Sequence, residues 1–176
     1  MGKLQEKLDD IKSKESWLER IKRHIPGYDG YVNRDNSREL DTILRNQLAQ
    51  KLEQNKPVIS NVVANFTRSG KLFEMQDIDR IEKKNETVIA KFRSAARGYS
   101  GAFDVVKIKD EKLNMLYEFD AGLLDGVTSI NGMFTELEKL SDAKENVSTK
   151  VSEIGKALDA LILKFDEREA ILRADS

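Results

Sequence analysis

Apolar positions recur along this chain at steps of three and four residues, the spacing of helices that bury one face. The first stretch sets Leu4, Leu8, Ile11, Leu18 and Ile25 on a seam, with Glu15 and Lys22 interrupting it and Trp17 and Ile21 widening it. It ends at Ile25-Pro26-Gly27-Tyr28-Asp29-Gly30-Tyr31, where Pro26 biases the preceding residue out of helical torsions and two glycines permit positive φ. A second helix is expected to start near Asn33 or Asp35, either of which can cap orphan amides, and to carry Leu40, Ile43, Leu44, Leu48 and Leu52. Asn55-Lys56-Pro57 should break or kink it, and proline tolerates a first helical turn, so Pro57 opens a third helix with Val58, Ile59, Val62, Val63 and Phe66 inward. Ser69-Gly70 closes that segment, and a fourth helix runs from about Leu72 to Arg97 with Asn85 on its seam.

Residues 102–109 are the one stretch dense in β-branched side chains, but a lone strand has no visible partner, so an extended connector or a helical turn is expected there. Asp110 and Glu111 then read as the acidic start of a helix over 110–140. Gly122, Gly126 and Gly132 lie inside it, each costing roughly 1 kcal/mol relative to alanine, which predicts close approach of a neighbouring helix or a break. Ser141-Asp142 can cap a last helix over 142–173, whose heptad seam of Val147, Val151, Ile154, Leu158, Leu161, Phe165 and Leu172 is interrupted only by Arg168. The pattern predicts one all-α domain over 1–176: an elongated antiparallel bundle of about five or six helices, ending in a coiled-coil-like helix. Its parts are an N-terminal helix over 1–25, central helices over 32–97, a helix over 110–140 and the heptad helix over 142–173.

Composition agrees with thin helices that keep wide wet faces, since 39% of residues are hydrophobic and 35% charged. Lys and Arg number 30 against 31 Asp and Glu, so the basic excess that nucleic-acid binding draws on is missing. The chain has no cysteine, which removes disulfides, thiolate zinc sites and a cysteine nucleophile, and its single histidine leaves little for metal ligation or proton shuttling. No run reaches the roughly 18 to 20 apolar residues of a membrane span. The N-terminus mixes acids and bases without an apolar core, so a cytoplasmic protein is expected. Gly2 lacks the serine or threonine at position 6 that a myristoylation signal wants, where Glu6 stands.

Gly-Tyr-x-Gly occurs at Gly27–Gly30 and again at Gly98–Gly101, each after a basic helix end. Cations near a helix C-terminus complement its dipole and glycine beyond it supplies a left-handed cap, which accounts for the pattern structurally. The functional alternative is that Tyr28, Tyr31 and Tyr99, with Arg23 and Arg97, form a partner-docking or anion-binding surface, since Tyr and Arg are enriched at binding hot spots. Glu118, Asp120 and Asp125 form an acidic cluster, but a di-metal bundle needs Glu-x-x-His pairs that this chain lacks, so a solvated face or helix cap is expected. His24 has no nucleophile elbow to serve. No catalytic residue, cofactor or metal ligand is assigned. On the last helix, Val151, Ile154, Leu158, Leu161 and Phe165 make a candidate oligomer seam.

The turn at Ile25–Tyr31 with the following Arg38-Glu39-Leu40-Asp41, and the later Phe103-Asp104-Val105-Val106-Lys107 with Leu116-Tyr117-Glu118-Phe119-Asp120, resemble a group of small uncharacterised prokaryotic helical proteins. Those carry an Ile-Pro-Gly-Tyr-x-Gly-Tyr turn and a Leu-Tyr-Glu-Phe-Asp block, and the likeness spans most of the first 125 residues. Ala102 departs from the aromatic residue often found there. The resemblance implies a shared fold in a cytoplasmic prokaryotic protein and carries over no catalytic residues. The expectation is therefore a non-enzymatic interaction module, adaptor or oligomeric scaffold acting on a protein partner or on itself. Association with membranes through the amphipathic first helix ranks second, because Glu6, Asp9, Asp10, Glu15 and Glu19 nearly cancel its lysines.

Overall fold

A computed structural model describes residues 2–31, 34–94 and 110–173, and all regular structure among them is helical. The elements are α1 (Gly2–His24), α2 (Arg34–Glu53), α3 (Asn55–Ser69), α4 (Met75–Ser94), α5 (Asp110–Asp142) and α6 (Ser148–Arg173). Residues 102–109, expected as a connector, lie outside the described residues.

The side-chain ties fix the helix directions. Asn61 meets Glu138 and Asn65 meets Ser141, while Asn131 donates to the Lys51 carbonyl, so α2 and α3 run the same way as α5. Asn85 bonds Asn55 and the Leu52 carbonyl, and Arg45 reaches the Phe92 carbonyl, so α4 runs antiparallel to α2. Lys84 pairs with Asp159, Lys91 with Asp166 and Arg168 with Asp120, which sets α6 parallel to α4 and antiparallel to α5. The α2–α3 pair, α4, α6 and α5 thus pack around a square as a four-helix bundle, and α1 lies outside it along α5. In this bundle α2–α3 against α4 and α5 against α6 are antiparallel while the other two sides are parallel, not antiparallel throughout as the sequence pattern predicts. With 33 residues, α5 spans about 50 Å and gives the bundle its elongated form.

The junction of α2 and α3 follows from Pro57, which has no amide to give the Glu53 carbonyl and would clash with it in an unbroken helix. The chain kinks at Gln54 without reversing, so α2 and α3 share one face of the core. Carbonyls beside the kink find side-chain donors in Asn131, for Lys51, and in the buried Asn85, for Leu52. Both helices that end at the far pole of the bundle close with the same hydrogen-bonded turn. The Lys71 amide bonds the Phe66 carbonyl with Gly70 at φ 73°, and the Glu145 amide bonds the Leu140 carbonyl with Lys144 at φ 58°.

Three boundaries differ from those the sequence predicts. α4 begins at Met75, leaving Leu72 and Phe73 exposed in the turn before it. α6 begins at Ser148 because α5 continues through Asp142, and the cap is Asn146, whose Oδ1 accepts the Ser148 amide at 2.8 Å. α5 is unbroken: α6 passes close at Gly126, where an added Cβ would stand 3.2 Å from Leu161, and at Gly122, where Lys164 crosses. Gly132 faces open space.

Candidate functional site

The segment after α1 does not lead away from the bundle. It doubles back: the His24 carbonyl accepts from Gln47, yet six residues later Gly30 is beside Leu18 and Tyr117. Parallel neighbours α1 and α2 need such a return. Gly27 and Gly30 make it possible with φ of 85° and 92°, and an alanine Cβ at Gly30 would stand 2.6 Å from the Tyr117 hydroxyl. This strap buries Tyr28 and Tyr31. The Tyr31 amide donates to the Tyr117 hydroxyl at 2.8 Å, and the two rings stack with centroids 5.5 Å apart.

Below the strap lies a layer of charge inside the bundle. Arg168 of α6 is fully buried; its Nε donates to Asp120 of α5 at 2.6 Å and its Nη2 to Asp41 of α2 at 2.7 Å. Asp41 also accepts from Arg45 at 2.9 Å, and Arg45 donates to the Phe92 carbonyl in the last turn of α4. Tyr31 donates its hydroxyl to the second oxygen of Asp120 at 2.5 Å and accepts from Arg168 at 3.2 Å. Among the described residues two arginines meet two aspartates, and one layer ties α2, α4, α5, α6 and the strap. Desolvation pushes the Asp120 carboxyl up, opposed by the Arg168 charge and the Tyr31 hydrogen bond. Desolvation likewise raises the Tyr28 and Tyr31 hydroxyls well above the usual tyrosine value, so both stay neutral. The lines of force here run between helices. With Arg168 and Asp120 shut off from solvent, this layer holds the bundle in register.

These positions revise several expectations. Tyr28 and Tyr31 are interior residues, because the strap folds inward against Tyr117, and of the three described residues of that predicted surface Arg23 is exposed. Tyr99 and Arg97 lie outside the described residues. Asp120 is core, not a solvated acid, whereas Glu118 is exposed. Asp125 is half-buried beside Arg20 and His24; desolvation raises its carboxyl, but those two partners outweigh it and the net direction is down. On α6, Ile154, Leu158, Leu161 and Phe165 are buried inside the chain and Val151 half-buried, since the heptad seam faces α4 and α5. Among the described residues no group of three His, Asp or Glu side chains is placed to hold a metal, and no helix is long and apolar enough to cross a membrane.

The exposed apolar surface is elsewhere. On α1, Leu4 is 66% exposed, Leu8 44% and Ile11 50%, whereas Ile21 and Ile25 are buried. The predicted seam is therefore divided: α1 packs through Trp17, Leu18, Ile21 and Ile25, tied by Asp10 to Asn114 and by Arg20 to Asp125. At about 100° per residue, Leu4, Leu8 and Ile11 are centred roughly a quarter of a turn round from that packed face. No protein-family model, curated protein or solved structure matches the chain. What the fold and these surfaces define is a helical bundle with a closed ionic core and one helix presenting an apolar row.

Proposed function

We propose that the chain is a non-enzymatic helical interaction module, an adaptor or scaffold of the cytoplasm that works through protein–protein contacts. The carrying observation is the row Leu4, Leu8 and Ile11, exposed at i, i+4 and i+7 on a helix whose other half is anchored to α5. That spacing is the anchor pattern by which an amphipathic helix lies in an apolar groove or against another helix. The ionic layer supports the same reading, since its arginines and aspartates are buried and bonded between helices. Self-assembly through Leu158 and Phe165 would require opening the bundle, so a scaffold of identical chains would also assemble through exposed residues. The test is recovery of partners with the tagged protein from its native host, compared with the same protein carrying Leu8→Glu. A partner that is lost with the variant, while its circular dichroism is unchanged, supports the module; partners retained equally by both would remove α1 from the account.

A second reading rests on the exposed lysines beside that row: α1 lies on an anionic membrane surface. It expects salt-sensitive sedimentation with phosphatidylserine vesicles, and it fails if the protein stays in the supernatant at low salt.

A further inference from the structure

The apolar row of α1 has a charge pattern that selects its partner. Over the first three turns, at about 100° per residue, Lys7 and Lys12 flank the row some 70° to either side and Glu6, Asp9 and Asp10 fall on the opposite half of the helix, while Glu15, next on the same seam, ends the apolar row. Lys7 and Lys12 are exposed and have no acidic partner among the described residues. Over residues 2–12 the near-neutral charge of the helix thus conceals two separated faces, an apolar row edged by lysine and a back carrying acid.

We propose that this face docks an acidic amphipathic helix of a partner protein, one whose apolar row is bordered on both sides by Glu or Asp. The proposal rests on the interaction-module reading and adds the chemistry of the partner. Charge complementarity decides between occupants. A second copy of α1 aligned over the same three turns would bring lysine borders against lysine borders, and like charges across such a seam are repulsive. A bilayer rewards a broad apolar face with bulky aromatic residues at its edge, whereas this row is one side chain wide, is wholly aliphatic and spans about 60° of arc. A helix bordered by carboxylates meets both features, with apolar knobs over Leu4, Leu8 and Ile11 and carboxylates over Lys7 and Lys12. Because the row is exposed in the folded chain, its substitution does not disturb the core, and binding can be read apart from folding.

The test uses the full chain and a synthetic helix of about three heptads with Leu at the a and d positions and Glu at e and g, titrated by calorimetry in low salt. The wild type should bind it, Leu8→Glu should weaken binding at least about tenfold, and Lys7→Glu with Lys12→Glu should abolish it. That double variant should instead bind the same helix carrying Lys at e and g. Absence of binding tighter than about 1 mM, or binding indifferent to Leu8→Glu or to the charge swap, overturns the proposal. Leu8-dependent sedimentation with phosphatidylserine vesicles in place of peptide binding overturns it in favour of a membrane, and a Leu8-dependent dimer in sedimentation equilibrium overturns it in favour of self-pairing. If host partners are lost with Leu8→Glu but the acidic helix is not bound, the interaction module stands and the acidic partner falls.

Discussion

Replacing one member of the buried ionic layer tests whether it acts as a unit. Among the described residues, Asp120→Leu leaves Asp41 as the carboxylate bonded to Arg168 and Arg45, in a site where Arg168 has no solvent exposure. Arg168→Met leaves Asp120 with only the Tyr31 hydroxyl as a donor. Breaking a buried pair from one side costs about 3–5 kcal/mol, equivalent to roughly 6–20 °C in Tm for a chain of this size. The double variant Asp120→Leu/Arg168→Met removes both charges and leaves Asp41 neutralised by Arg45, so it should cost only about 1–2 kcal/mol. Guanidinium unfolding followed by circular dichroism at constant m-value should then give a coupling energy of about 4–9 kcal/mol. Single costs below about 1 kcal/mol, or a double cost equal to their sum, would refute the reasoning. The pH dependence has a fixed sign as well. Desolvation already raises Asp120 and loss of Arg168 raises it further, so in Arg168→Met the folded state binds the proton more readily than the unfolded chain. Stability is then present below the ordinary carboxylate range and lost as pH rises through the folded value, making the variant's deficit smaller at pH 4 than at pH 7.

Other substitutions follow from local geometry. Lys144→Gly relieves a left-handed backbone at the end of α5 and should raise stability by about 0.5–1 kcal/mol, since Gly70 already occupies the equivalent position after α3; a loss of stability would count against the turn assignment. Gly30→Ala combines φ of 92° with a Cβ driven into the Tyr117 hydroxyl and should cost about 2–4 kcal/mol in chemical denaturation; a cost below 1 kcal/mol would mean the strap does not pass there. Leu158→Glu places a charge at a fully buried position and should abolish the folded state in far-ultraviolet dichroism; an intact monomer would return Leu158 to an intersubunit seam. Tyr28, Tyr31 and Tyr117 are all raised, chiefly by desolvation, so their contribution is present below about pH 10 and lost above it. At most one of the four tyrosines should therefore ionise in the native protein by absorbance at 295 nm, the rest ionising together with unfolding; early titration of two or more would contradict the buried strap.

The helices were legible because each buries a face at helical spacing, and Arg168 and Asn85 were visible as polar interruptions of apolar seams. What they bond was not, since the partners are far apart in the chain: Tyr31 is 89 residues from Asp120, and Asp41 is 127 from Arg168. Polar residues on a seam carry the signal of a buried layer, but a layer needs the register of all four helices before its partners can be named. The tyrosines misled for a related reason. A Gly-Tyr-x-Gly turn after a helix reads as an exposed cap when the chain is expected to reverse, but α1 and α2 are parallel, and the return between them has to be packed. Seam periodicity on α1 likewise locates apolar side chains without saying which of them a neighbour covers.

That last ambiguity separates structure from function in this chain. A four-helix bundle with three polar layers, Arg168–Asp120–Asp41, Asn55–Asn85 and Asn65–Ser141, has one register in which every pair meets, because sliding any helix by a turn strands several buried polar groups at once. The cost of misalignment holds α5 in place, α5 holds α1 through Asp125 and Asn114, and Tyr31 holds the strap to Asp120. The ionic layer therefore bears on partner binding without touching a partner: it fixes the platform from which α1 presents Leu4, Leu8 and Ile11. A variant that weakens the layer yet leaves the chain folded should lower affinity for the acidic helix only by as much as it frees α1 from α5, whereas Leu8→Glu should lower it with the platform intact.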